Sequence, residues 1–213
     1  MPQPVTTTNK VMLRSFWHVA LLFCGILGPL IFLIVYFTFG DISPDFDMLR
    51  QPIGDLELMS YGWIQSVNFV IYGLFTCAFG IGLYKELQSG FGLYTLPATQ
   101  ICLGLSAILL GIFIHEPAHT YISFLSAAPL VISFLLFARR FAIDPGWKGW
   151  AVYGNLCALA SVLFMFLYWY TNKHNFAYAG IFEHMIIITR MVWLAVFVLE
   201  LLNGRRLAAV PKG

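Results

Sequence analysis

Apolar residues gather along this chain in six long stretches, at about 16–39, 60–84, 91–114, 120–138, 149–171 and 179–203, with short polar connections between them. A bilayer core about 30 Å thick takes about 20 helical residues to cross, so each stretch is a predicted membrane span. None carries the apolar–polar alternation of a barrel strand. Helix is therefore the predicted element throughout, because it satisfies its own backbone hydrogen bonds in lipid. The first five stretches contain no Asp, Glu, Lys or Arg, and only the sixth is charged. The expected fold class is all-α: a polytopic bundle of six transmembrane helices forming a single domain over residues 1–213.

Composition agrees with this pattern. The chain is 60% hydrophobic and 10% charged, whereas soluble domains carry about 25% charged residues. The net charge of +2 is dispersed and forms no basic stripe, which excludes nucleic acid as a partner. Membrane lipids are the expected surroundings, protein partners are not specified, and self-association is left open. Cys24, Cys77, Cys102 and Cys157 sit singly within apolar runs and read as small apolar fillers. Residues 16–39 are long enough to span and end without a small-x-small cleavage site, so they read as a retained helix.

Basic residues set the expected orientation. Lys10, Arg14, Lys85, Arg139, Arg140, Lys148, Arg205, Arg206 and Lys212 fall on one face of a six-span chain, against Arg50 and Lys173 on the other. By the positive-inside rule both termini are expected in the cytoplasm, and the plasma membrane is the expected location. Asp41, Asp45, Asp47, Asp55, Glu57 and Glu116 then face outward. The acidic loop Asp41–Asp47 lacks the glycine and terminal glutamate of a calcium loop and reads as solvated. Tyr61, Trp63, Trp147, Trp150, Tyr168, Trp169 and Tyr170 lie at span ends and read as interfacial anchors. Gly25, Gly28, Gly73, Gly80, Gly104, Gly111 and Gly154 lie inside spans, where small residues permit close helix approach.

Chemistry concentrates at the expected outer face. His115, His119, His174 and His184 fall there beside Asp55, Glu57, Glu116 and Glu183, a mixture suited to acid–base work or to holding a divalent ion. His115, Asp55 and Glu183 are the candidate catalytic groups, while His115, His119 and His184 are candidate ligands of a metal such as zinc. His115-Glu116-Pro117-Ala118-His119 matches HExxH by letter. Pro117, however, opposes one continuous helix through both histidines and fits the first turn of span four. The nearest look-alike of a third protease ligand, Asp144, is expected on the cytoplasmic side. A zincin-type protease is thereby disfavoured.

Arg190 is the costliest residue, some ~16 Å deep at 1.5 Å per residue, close to the bilayer midplane. Glu183, Ile187, Arg190, Trp193, Phe197 and Glu200 share one stripe of span six, expected to face inward. Gln65 and Asn68 on span two are the expected partners of Arg190. Asn68, Arg190 and Trp193 are candidate ligand-binding residues.

With Ile53-Gly54-Asp55-Leu56 before span two, Asn68 and Gly73 within it, His115 at the third outer turn, and Gly180, Glu183 and Trp193 in span six, the chain resembles the bacterial and archaeal membrane family catalogued as domain of unknown function 998. That family favours Ser-Asp-Leu where Gly54-Asp55-Leu56 stands and Glu-Arg where Glu183-His184 stands. The resemblance implies a six-helix fold with Asp55, His115 and Glu183 converging near the outer face, and no established activity. The first functional expectation is an outward polar cavity for a lipid headgroup or small polar ligand, with metal-assisted or acid–base hydrolysis. The alternatives are a small-solute or ion carrier using the Arg190 stripe and a non-catalytic scaffold or accessory subunit.

Overall fold

The computed structural model describes residues 15–87, 89–115, 117–205 and 207. Glu116, the glutamate of the HExxH match, and Lys10, Arg14, Arg206 and Lys212 from the charge asymmetry lie outside the described residues. Among those described there are six α-helices and no strand: α1 Phe16–Ile42, α2 Trp63–Glu86, α3 Thr95–Ile112, α4 Ala118–Ala142, α5 Lys148–Lys173 and α6 Ala179–Leu202. Short 3₁₀ turns at Ile53–Leu58 and Pro145–Trp147 precede α2 and α5. All six helices are long and apolar enough to cross a membrane, the pattern of a multi-pass membrane protein.

The observed helices differ from the predicted spans where local chemistry intervenes. Span three is shorter than expected: Gly92 adopts a positive φ of 89° and delays the helix to Thr95, and the helix has ended before Phe113. Span four is longer, because Arg139 and Arg140 continue its last turn, where cations suit the helix C-terminus. Pro29 and Pro129 lie inside α1 and α4 without ending either helix.

Each helix packs on the next, and α6 returns to α1, which closes the ring. The tightest crossing is α2 against α3. A Cβ added to Gly73 would collide with the Gly104 carbonyl, and one on Gly104 would lie 2.5 Å from Cys77 Sγ. Glycine at both positions allows this backbone approach, and lipid-facing helices gain by such van der Waals contact. Helix α6 is buried along most of its length, from Ala179 to Leu201. Trp193 and Phe197 anchor an aromatic core with Phe137 of α4, whose ring centroid lies 4.9 Å and 5.1 Å from theirs.

Trp147 is a correction to the aromatic-belt expectation. It is buried, with its ring stacked 5.0 Å from that of Phe141. Asp144 accepts from the Gly146 N–H and starts the Pro145–Trp147 turn, which carries the indole inward. Tyr61, Trp63, Trp169 and Tyr170 are exposed, as anchors would be.

Candidate functional site

The 3₁₀ turn Ile53–Leu58 lies where α1 ends, α2 begins, α3 gives way to α4 and α6 begins. The Glu183 carboxylate, just past the first turn of α6, holds it there, with Oε2 accepting from the Ile53 N–H at 2.7 Å. That amide opens the turn, so the carboxylate supplies an acceptor that the turn itself lacks. Gly180, one turn back on α6, sits so close to the Gln51 carbonyl that a Cβ would overlap it. Glu183 therefore acts on the position of Asp55 through the turn that both touch. Asp55 is also near enough for its charge to act on Glu183.

Gly54, Asp55, Leu58, Ile114, His115 and His119 line one recess of about 280 Å³. Helix α3 stops at Ile112 and α4 starts at Ala118 behind Pro117, so His115 lies in the connection and His119 in the first turn of α4. A single helix through the HExxH letters does not form, for the reason Pro117 supplies. The His119 Nδ1 atom is 3.2 Å from the Phe113 carbonyl and 3.5 Å from Glu57 Oε2. Both neighbours are acceptors, so these surroundings assign the proton to Nδ1 and leave the Nε2 lone pair as the basic position. Nε2 faces Gly54, where a Cβ would come within 2.6 Å. The glycine makes room for the ring.

Glu57 is buried behind His119, and this burial pushes its carboxyl up to about 7 from an ordinary 4.5, with the Ser66 hydroxyl acting in the opposite direction. A carboxyl that titrates near neutrality beside an imidazole can hold or release a proton at physiological pH. In the sequence Glu57 is one acid among several near the outer histidines, and nothing in its spacing marks it as a site residue. Its burial was hidden in a turn whose period is neither helical nor extended.

The other candidates serve elsewhere. His184 is buried, and its Nε2 lies 2.6 Å from the Tyr36 hydroxyl of α1. Among the described residues, no group of three or more His, Cys, Asp or Glu side chains is placed to hold a metal ion, so His115, His119 and His184 are not assembled as a ligand set. Asn68 donates to the Phe32 carbonyl and to Gln65 Oε1, each at 3.1 Å, and so ties α2 to α1. The expected pairing of Arg190 with Gln65 and Asn68 is corrected: Arg190 Nη2 donates to Gln100 Oε1 on α3. Gln100 in turn donates to Ser133 Oγ of α4 at 2.8 Å. Gln100 was legible as an amide within an apolar run, but its neighbours were not. Trp193 is fully buried in the aromatic core, and Glu200 is partly exposed and paired with Arg205 at 3.2 Å, which corrects the inward placement of the stripe's last member.

Six apolar helices and a polar turn packed across their ends define an all-α protein of multi-pass membrane type. The family described as "Protein of unknown function (DUF998)" matches residues 26–200, and the chain belongs to it. Neither curated proteins nor solved structures match the chain.

Proposed function

We propose that the chain forms one six-helix domain of the plasma membrane, with both termini cytoplasmic, and that its recess opens outward to take the polar headgroup of a lipid and hydrolyse an ester within it. The single observation that carries this reading is the convergence of Asp55, His115 and His119 on one recess, with Glu57 buried behind His119. In this reading His119 Nε2 accepts a proton from water as the water oxygen attacks the ester carbon or phosphorus. The departing alkoxide takes a proton back, and His115 and Asp55 orient the headgroup at the mouth. Glu57 steadies the charge that His119 acquires. Glu183 is a positioning residue that holds the turn carrying Asp55.

The closely packed rings of Trp193, Phe197, Phe134 and Phe137 favour this reading over a carrier. They fill the lower part of the Arg190 stripe as a solid core, whereas a conduit needs a polar lining.

The test is release of headgroup or acyl product by purified protein in nanodiscs of phosphatidylethanolamine and phosphatidylglycerol. Wild type is expected to turn over one of them, and His119→Asn to lose about a hundredfold or more of the rate, as removal of a general base does. No release from either lipid, or full activity in both His119→Asn and His115→Ala, contradicts the reading.

A further inference from the structure

Arg190 lines a second cavity, separate from the recess at the 3₁₀ turn. Its side chain is buried, with 3% exposure, at mid-length of α6. One guanidinium nitrogen donates to Gln100, while Nη1 has no hydrogen-bond partner. Among the described residues no carboxylate forms an ion pair with it. An isolated cation in an apolar interior is strongly unfavourable, and such charges face a partner or a pathway.

Arg190 lines a pocket of about 110 Å³ bounded by α1, α2, α3, α4 and α6. Its polar members besides Arg190 are Tyr72, Ser106 and Ser126, and the remainder is apolar, including Phe32, Leu103 and Leu130. Ser106 and Ser126 already donate to carbonyls of their own helices, at 2.9 Å to Cys102 and 2.7 Å to Ser123. The donors left to meet an anion are therefore Arg190 Nη1 and the Tyr72 phenol. The wall toward α3 and α4 is half-buried, and its flanking residues Leu105, Leu109, Phe124 and Leu125 are exposed. One side of the pocket thus meets the lateral, apolar surface of the bundle.

We propose that this pocket holds the anionic head of an acyl-chain amphiphile that enters sideways between α3 and α4. One acidic oxygen accepts from Arg190 Nη1, and the chain runs past Leu103 and Leu130 into the surrounding lipid. Guanidinium and acid are each costly when buried alone, and together they form a neutral, hydrogen-bonded pair. A free fatty carboxylate and a phospholipid phosphate share this chemistry.

The experiment uses the full chain in phosphatidylcholine nanodiscs and a diazirine-bearing stearate as photoprobe, with labelled positions read by mass spectrometry. Label is expected on the α3 and α4 segments that line the pocket. Excess oleate should compete with it, and oleyl alcohol should not. Arg190→Gln, which keeps a polar side chain without the charge, and Ser126→Leu, which fills the pocket wall, should each weaken labelling about tenfold, or about 1.4 kcal/mol. Competition by dioleoyl phosphatidate at a much lower concentration than oleate needs would assign the phosphate as the source of the acid. Equal competition by oleyl alcohol would overturn the proposal, as would wild-type labelling in a Ser126→Leu protein that unfolds at the wild-type temperature. If Arg190→Gln fails to fold, the Ser126→Leu variant and the alcohol competition still decide.

Discussion

Replacing Glu57 with glutamine should change how the stability of this protein depends on pH. Burial holds the folded-state carboxyl at about 7, above its ordinary 4.5. A raised carboxyl contributes stability that is fully present below pH 4.5 and is lost as pH rises through 7, because the folded protein must then bury a charge that the unfolded chain solvates. The interval between 4.5 and about 7, at 1.36 kcal/mol per pH unit, corresponds to roughly 3 kcal/mol. His119, 3.5 Å away, offsets part of this when it is protonated. Glutamine keeps the shape and never ionises. Wild type and Glu57→Gln should therefore agree within about 0.5 kcal/mol at pH 4, with the variant more stable at pH 8.5 by up to roughly 3 kcal/mol. For a chain of this length that corresponds to roughly 6–12 °C in midpoint. Thermal unfolding in one detergent across that pH range, followed by circular dichroism, measures it. A gap between the two proteins that stays constant with pH, or a variant that is weaker at pH 8.5, would refute the assignment of a buried, raised carboxyl.

Two further outcomes test the packing. Gly104→Leu places a branched side chain into Cys77 and the Gly73 backbone, so it should destabilise by about 1–3 kcal/mol or separate α2 from α3, read as a lower unfolding midpoint. Tyr36→Phe removes the hydroxyl that meets buried His184, so it should cost about 1–3 kcal/mol in the same assay; an unchanged midpoint would mean that the imidazole finds another partner.

The apolar runs made the six helices legible because a span needs only length and hydropathy, and neither depends on what packs beside it. Gly92 and Phe113 set the ends of α3 through local backbone conformation, which hydropathy does not register. Asp55, His115 and His119 could be grouped because alternating spans place them at one end of the chain's fold. Their neighbours across helices could not. The sequence period says which face of α6 Arg190 shares with Trp193, but whether Gln65, Asn68 or Gln100 stands opposite depends on the rotation of α2 and α3 in the ring. Asn68 is turned toward the Phe32 carbonyl, which leaves Gln100 to meet the guanidinium. His184 illustrates the same limit, since its partner Tyr36 lies 148 positions away in the chain. Trp147 read as an anchor because tryptophans at span ends usually are, and the Asp144 cap that folds it inward is a short-range hydrogen bond without a hydropathy signature.

The central claim is that the recess bearing Asp55, His115 and His119 faces the outside of the cell. A variant without its four cysteines, carrying His115→Cys, can be exposed in intact cells to a membrane-impermeant maleimide, with Lys148→Cys, at an exposed position, in the same background as the control for the opposite end. Labelling at position 115 in intact cells, with labelling at position 148 only after the membrane is opened, is the predicted result. Labelling at 115 only after lysis would place the recess in the cytoplasm and contradict the account.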